Sequence, residues 1–242
     1  METVTINAML RFTKLAVVCL VIGVSPSAFA GPDNAEAGPG KTAPAEAVNR
    51  GTDILDRVQA FYESSTDYKA SFRQVVTTKS PRRTFTRRGT VYFKRPGMMR
   101  WDYKVPDEVY YVSDGKILWS YSVEEGVAYR LKIRNSNLFH ALKFLTGTGK
   151  LAEDFNTRVG KPTKSGLVPV TLLPKDSSHR SFESITLFVD PTTGETRQTE
   201  VKDPLGNISH LWFESPSYGP LPADRFSFTP PDGVRVQEVG IR

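Results

Sequence analysis

The chain has 242 residues, a net charge of +6 and a single cysteine. One cysteine excludes a disulfide framework, so an apolar core must hold the fold together, and a chain of this length can bury one. The positive charge is concentrated between Lys79 and Gly89. Such a concentration points to an anionic partner or to a solvated, charged loop.

The N-terminus has the pattern of a secretory signal peptide. Arg11 and Lys14 precede ten apolar residues, Leu15–Val24, and a small-x-small cleavage site ends at Ala30. Ten apolar residues are too few for a permanent membrane span. Cleavage would also remove Cys19, and a cysteine-free exported product indicates the bacterial periplasm. The alternative interpretation is an uncleaved anchor lying at the membrane surface.

The next segment, residues 31–47, is rich in Gly, Pro and Ala and lacks bulky side chains. It therefore predicts a flexible linker. A single domain is predicted over residues 48–242. It begins with a short amphipathic helix near Thr52, the expected N-cap, because Ile54, Leu55 and Val58 recur at helical spacing.

From Tyr68 onward the apolar period changes to two, which is typical of strands. The predicted strands are separated by short turns, and they are Tyr68–Val76, Phe85–Lys94, Met98–Tyr103, Glu108–Val112, Ile117–Tyr121, Val127–Ile133, Leu167–Leu173, Ser181–Val189, Glu195–Lys202 and Asn207–Glu214. A second helix is predicted around Leu138 and Leu142. A sheet of this size tends to curl, and two helices suffice for only one of its faces. The expected fold is mainly β: an unclosed, strongly curved antiparallel barrel with short helices as a lid over the concave apolar face.

Catalytic chemistry is poorly supported by the residues. The three histidines, His140, His179 and His210, lie far apart in sequence, and no nucleophile, metal-ligand or phosphate-binding motif occurs. We therefore expect a binding protein without cofactor or metal rather than an enzyme. A lipid hydrolase would need a nucleophile that the sequence does not offer.

Four arginines in the segment "KSPRRTFTRRG" form a candidate docking surface: Arg82, Arg83, Arg87 and Arg88. An acidic protein or anionic lipid headgroups could bind there, and a solvated hairpin is the other interpretation. Export from the cytoplasm argues against nucleic acid.

The strand Phe85–Lys94 and its continuation raise a question. By strand parity Val91, Phe93 and Arg95 share one face, and an unpaired charge in an apolar core costs several kcal/mol. Aromatic and methionine side chains on strands are core by default, but under loosely seated helices they could line a cavity for an apolar ligand. The candidate cavity residues are Val91, Phe93, Met99, Trp101, Leu118, Leu138 and Leu142.

Four stretches resemble the LolA family of periplasmic outer-membrane lipoprotein carriers: "ASFRQ" (Ala70–Gln74), "YFKRPGMMRW" (Tyr92–Trp101), "VSDGKILWSY" (Val112–Tyr121) and "FSFTPP" (Phe226–Pro231). The resemblance implies a half-barrel that shelters the acyl chains of lipoproteins. It also implies a monomer that receives cargo from an inner-membrane ABC-type release complex and passes it to an outer-membrane acceptor, without binding a cofactor itself.

The family's functional arginine corresponds to Arg95. The resemblance implies that this arginine bonds to backbone carbonyls of the lid and keeps the empty cavity shut. Similar half-barrels also occur in envelope-stress sensors, so a regulatory module that binds a partner protein or lipid remains the alternative function.

Overall fold

The computed structural model describes residues 45–65, 67–133, 155–175 and 182–239. One α-helix, α1, spans Ala45–Ser64, and a short 3-10 helix spans Ala223–Phe226. The strands are β1 Asp67–Thr78, β2 Arg83–Lys94, β3 Met98–Val105, β4 Val109–Ser113, β5 Ile117–Ser122, β6 Val127–Lys132, β7 Phe155–Val159, β8 Val168–Pro174, β9 Ser184–Val189, β10 Thr196–Lys202, β11 Ile208–Tyr218 and β12 Arg235–Val239. The predicted signal peptide, most of the linker and the predicted second helix lie outside the described residues.

All twelve strands belong to one sheet in the order β12-β6-β5-β4-β3-β2-β1-β11-β10-β9-β8-β7. The two outermost strands, β12 and β7, do not pair with each other, so the curled sheet stays open. This confirms the mainly β, unclosed half-barrel. One pairing differs from the prediction: β12 lies parallel to β6, with Arg235 opposite Val127. Strand β12 was not predicted, because a Pro-rich passage precedes it and strand alternation restarts only at Arg235.

Helix α1 begins at Ala45, seven residues before the predicted start, so the cap predicted at Thr52 is wrong. Its buried residues Ile54 and Val58 lie one helical turn apart and pack against the half of the sheet formed by β7, β8 and β9. The position of α1 on the sheet is fixed by a close approach between its backbone and Gly194. Gly194 has φ +80°, and a Cβ there would lie 2.3 Å from the backbone oxygen of Arg57. Only glycine lets the helix sit this near the sheet.

The other half of the sheet has a separate, aromatic core. Alternate residues of β1 to β5 point to one face, and the ring of Phe72 lies 5.0 Å from Trp101 and 4.8 Å from Tyr103 between centroids. These edge-to-face contacts fill the interior of the curve. The helix end and this core meet at the ends of β1, β2, β10 and β11, and the candidate site lies there.

Candidate functional site: an apolar pocket between the helix end and the sheet

A pocket lies where the C-terminal turn of α1 faces the sheet. Its empty volume, including the part open to solvent, is about 740 Å³. The apolar and aromatic part of its wall consists of Phe61, Tyr62, Tyr68, Phe93, Met98, Leu187, Phe213 and Tyr218. A concave site with this mostly apolar lining is suited to an apolar ligand.

Strand register assembles the sheet side of the pocket. Tyr68 on β1 is paired with Phe93 on β2 and with Tyr218 on β11. Their ring centroids lie 6.0 Å and 5.4 Å from that of Tyr68. Phe213, also on β11, meets Tyr68 edge to face at 6.1 Å. Because paired residues on neighbouring strands share a face, three distant parts of the chain form one aromatic wall.

The helix side of the pocket is also aromatic. Phe61, in the last turn of α1, contacts Tyr218 edge to face with a centroid distance of 5.6 Å, and it contacts Tyr62 at 5.5 Å. Phe61 therefore joins helix and sheet directly. The helix end closes one side of the pocket through ring contacts that carry no charge.

Arg95 lies in the turn that follows β2, at the rim of the pocket. Its Nη1 donates a hydrogen bond of 2.9 Å to the backbone oxygen of Glu63. Glu63 is in the last turn of α1, where carbonyls lack intrahelical partners and the helix dipole favours a cation. This explains why an arginine can follow Val91 and Phe93 on one face. Arg95 lies beyond the end of β2, outside the core, and its side chain bonds to the end of α1. That Arg95 acts as a latch, keeping the empty cavity shut through this bond, stays a prediction.

Two carboxylates near the pocket are neutralised by neighbours. Asp67, whose side chain is 5% exposed, forms a 2.8 Å ion pair with the Lys94 ammonium group and accepts a hydrogen bond from the backbone N–H of Leu221. Glu195, at the opposite wall, accepts hydrogen bonds from the Tyr218 hydroxyl at 2.6 Å and from Arg197 at 2.8 Å. Because each of these carboxylates has a cationic donor, neither adds an uncompensated negative charge to the wall.

The phenol groups around the pocket resist ionisation. Burial raises the pKa of Tyr62 to about 12, with the nearby Glu195 carboxylate adding to the effect and a hydrogen bond with Thr196 opposing it. Burial likewise raises the pKa of Tyr68 and of Tyr218 above the usual value. All three phenols are therefore neutral near pH 7 and add no anionic charge to the pocket.

The other predicted cavity residues lie elsewhere. Phe93 borders the pocket, but the other four described candidates do not: Val91, Met99, Trp101 and Leu118 are between 0% and 6% exposed within the aromatic core. Side chains from several strands converge on these positions as the sheet curves, which leaves them packed. Leu138 and Leu142 lie outside the described residues.

Several residues of the pocket wall were not predicted from the sequence. Tyr68 and Phe213 lie on predicted strands, on the same face as core residues of those strands. Strand alternation could therefore have identified them. Tyr218 could not be found this way, because the predicted strand stopped at Glu214. A register shift between β1 and β11, where Lys69 pairs with Ser217 and Ser71 with Glu214, carries β11 past Pro216. Such a bulge inserts one extra residue and re-aims the following side chains.

Among the described residues, no three His, Cys, Asp or Glu side chains could jointly hold a metal ion. His210 stacks on Trp212 with a centroid distance of 3.9 Å, and burial lowers its pKa, with the Arg73 charge adding to the shift. Its ring nitrogens face the side chains of Gln198 and Glu200. None of the described helices combines the length and the apolar character that a membrane span requires.

The family model for the outer membrane lipoprotein carrier protein LolA matches residues 63–229. An outer-membrane lipoprotein carrier protein of Methylococcus capsulatus is 30% identical over 186 residues, covering 75% of this chain and 86% of the relative. One of Ralstonia nicotianae is 31% identical over 188 residues, with the same two coverages.

Among solved structures, an uncharacterized conserved protein from Thermus thermophilus shares the fold, with a TM-score of 0.51 at 13% identity. That match covers 78% of this chain and 98% of the other. The family model covers well over half of the chain, including the sheet side of the pocket. The chain therefore belongs to the LolA family of outer-membrane lipoprotein carrier proteins, which are binding proteins and not enzymes.

Proposed function

We propose that this protein is a periplasmic carrier that shelters the acyl chains of lipoproteins in the pocket between α1 and the sheet. It would accept cargo from an inner-membrane ABC-type release complex and deliver it to an acceptor at the outer membrane. The observation that carries the proposal is the pocket, whose wall is mostly aromatic and aliphatic side chains. The names of the Methylococcus and Ralstonia relatives support lipoprotein as the cargo.

The hydrogen bond from Arg95 to Glu63 has a strength suited to a gate. A hydrogen bond to a charged group contributes about 1.5–3 kcal/mol, and the partly exposed position of Arg95 favours the lower end of that range. Each acyl methylene moved out of water contributes about 0.8 kcal/mol. Burial of a few methylenes therefore offsets the loss of this bond.

The paired charges around the pocket support an apolar cargo as well. Asp67 is held by Lys94 and Glu195 by Arg197, so neither carboxylate needs a ligand group to balance it. An acyl chain can therefore enter without leaving either charge unpaired, which would be unfavourable in a low-dielectric site. A charged small molecule finds no such unpaired partner at Asp67 or Glu195.

Native mass spectrometry of protein purified from periplasm tests the latch. We expect wild-type protein to be largely empty and Arg95→Leu to retain acylated cargo, because the variant loses a bond that stabilises only the closed, empty state. The exposed Arg158 on β7 offers a matched control, since Arg158→Leu makes the same chemical change away from the pocket. Equal cargo occupancy in all three proteins would contradict the latch.

A fluorescent fatty-acyl probe tests the pocket itself. We expect one probe to bind per protein and an acylated peptide to displace it. Met98→Glu places a charge on the pocket wall and should weaken binding about tenfold, corresponding to about 1.4 kcal/mol. Val123→Glu, at an exposed turn far from the pocket, should leave probe affinity unchanged. Unchanged affinity in Met98→Glu would place the acyl site elsewhere.

Capture of membrane partners separates the carrier from the regulatory alternative. Cross-linking in cells should recover a lipoprotein-release transporter. Recovery of an anti-sigma-type membrane protein instead, with no acylated cargo on the purified protein, would favour the envelope-stress sensor.

A further inference from the structure

Two neighbouring turns protrude at the end of the sheet opposite the pocket. One joins β1 to β2 and the other joins β10 to β11, and the backbone N–H of Lys79 in the first donates a 2.9 Å hydrogen bond to Oδ1 of Asn207 in the second. We refer to residues 79–88 and 203–207 together as the hairpin surface. The bond between the turns makes them one surface rather than two independent loops.

The second turn holds an apolar side chain out in solvent. Leu205 is 77% exposed, yet the turn around it is well supported. The buried Asp203 carboxylate accepts hydrogen bonds from the backbone N–H and the side-chain amide of Asn207. Gly206 has φ +81°, and the Lys79 side chain lies across it. The exposure of Leu205 is therefore a fixed property of the turn and not a result of fraying.

The first turn presents a second apolar side chain. Pairing between β2 and β3 starts only at Arg88, opposite Val105, so residues 83–87 project beyond β3. Phe85 lies in this projecting part and is 46% exposed. Arg83 and Arg87 share its face of the strand, because they lie two residues away on either side. Phe85 is thus an exposed aromatic side chain between two cations.

Most cations of the hairpin surface have no ion-pair partner among the described residues. From Tyr68 to Trp101 the sequence contains ten Lys and Arg residues and no Asp or Glu. Among the described residues, Lys79, Arg82, Arg83 and Arg88 form no ion pair. By contrast, Arg57, Arg100, Arg130 and Arg197 each pair with a carboxylate.

We propose that the hairpin surface docks onto the anionic phospholipid headgroups of a membrane. Apolar tips that enter the interface, surrounded by Lys and Arg, are the combination by which peripheral proteins bind anionic bilayers. A fluid headgroup layer accommodates two separate protruding side chains, whereas a protein partner would need a preshaped cavity for each. The proposal goes beyond the carrier function, since docking involves no pocket residue.

The orientation of the strands adds a consequence. Strand β1 runs from Asp67 at the pocket to Thr78 at the hairpin surface. At about 3.3 Å per residue, these twelve residues separate the two ends by roughly 36 Å. A molecule docked by its hairpin surface therefore keeps the pocket entrance away from the headgroups and open to a partner.

Co-sedimentation with vesicles tests the proposal. Vesicles of phosphatidylglycerol and phosphatidylethanolamine are compared with neutral phosphatidylcholine vesicles at rising salt. We expect binding only to the anionic vesicles, weakening as salt rises. Each cation near an anionic surface contributes about fivefold to the partition constant, so Arg82→Gln/Arg83→Gln should lose roughly 25-fold. Leu205→Ser should lose roughly tenfold through its apolar contribution.

A matched control is available on the same chain. Lys161→Gln/Lys164→Gln removes the same charge from the exposed β7–β8 loop, which lies at the other end of the sheet. It should change vesicle binding by no more than about twofold, and no variant should change affinity for the acyl probe. Because the probe reports on the pocket alone, failure of docking and failure of the carrier function are distinguishable.

Three results would overturn the proposal. The first is no binding of the wild-type protein to anionic vesicles at low salt. The second is equal binding to neutral and anionic vesicles, or a loss of vesicle binding in the control variant as large as that in the hairpin-surface variants. The third is binding only to vesicles that contain a membrane protein, which would assign the hairpin surface to an acidic protein partner.

Discussion

The two ends of the long strand β1 differ in whether their charged side chains form ion pairs. At the pocket end, the wall carboxylates Asp67 and Glu195 are each bonded to a cation, and the helix end covers the aromatic side chains. At the hairpin end, Arg82 and Arg83 form no ion pair within the described part of the chain, and Leu205 stands exposed. The acidic side chains of the pocket wall are therefore neutralised, whereas the arginines of the hairpin end stay available to an anionic partner. This contrast predicts large stability effects at the pocket end and small ones at the hairpin end.

The largest expected effect is from Gly194→Ala, which should unseat α1. Its new Cβ would meet the backbone oxygen of Arg57 at 2.3 Å, and the backbone is in the left-handed region. We expect the free energy of unfolding to fall by about 2–4 kcal/mol, from overpacking added to backbone strain. Denaturant titration measures it.

Gly166 provides the matched control for this variant. Its φ is +81°, but nothing lies within 4 Å of a Cβ placed there. Gly166→Ala should therefore lose only the strain, about 1 kcal/mol. Equal losses at both positions would mean that the close helix seat contributes nothing.

Next in size is Asp67→Asn at the pocket end. This change keeps the shape but removes the charge that holds Lys94 and the Leu221 N–H. We expect a loss of about 2–3 kcal/mol, below the full value for a broken buried pair because the Lys94 side chain is 23% exposed and can be hydrated. Asp53→Asn removes the exposed partner of Arg57 and should change the free energy of unfolding by less than about 0.5 kcal/mol. Similar losses in both variants would argue against a special role for the buried pair.

High pH should destabilise the pocket end. A buried phenol with a raised pKa releases its proton in the unfolded chain first, so its contribution to stability is complete below pH 10 and is lost as pH rises toward 12. We expect Tyr62 alone to account for about 2 kcal/mol of that loss. Comparing urea unfolding of wild type and Tyr62→Phe at pH 9 and above measures it. The variant should show the shallower fall, and parallel curves would contradict the assignment.

The smallest stability effects should come from the hairpin end. Arg82→Gln/Arg83→Gln and Leu205→Ser alter exposed side chains without ion pairs or core contacts among the described residues. We expect changes in the free energy of unfolding within about 0.5 kcal/mol. Thermal melts of the same preparations used for vesicle binding check this. A large loss would mean that the exposed arginines and Leu205 support the fold and are not free to serve a partner.

Strand positions were largely predictable because alternation is a local property. Predicted Phe85–Lys94 lies within β2, and predicted Ile117–Tyr121 differs from β5 by one residue. The failures have local causes too. The strand β7 was hidden at the end of a segment interpreted as helical, and β12 followed a run of prolines. The signal peptide, linker and domain limits remain predictions.

The candidate site was predictable only in outline. Arg95 and Phe93 were identified from parity and from the family motif, and both border the pocket. Tyr218 reaches it only through the bulge in β11, which no alternation rule indicates. Four predicted lining residues are buried in the aromatic core and do not border this pocket. Sequence parity shows which face a side chain occupies but not whether something else fills the space beside it.

The sequence by itself determined the secondary structure of most of the sheet, the face on which each strand side chain lies and membership of the family. These follow from backbone geometry and from short motifs, which act within a few residues. Only the tertiary structure decided where the pocket is. Its walls come from residues as far apart as Phe61 and Tyr218, and its rim bond joins Arg95 to Glu63 across 32 positions. Such contacts depend on how far the sheet curls and where the helix sits, and these are set by packing between segments that are distant in sequence.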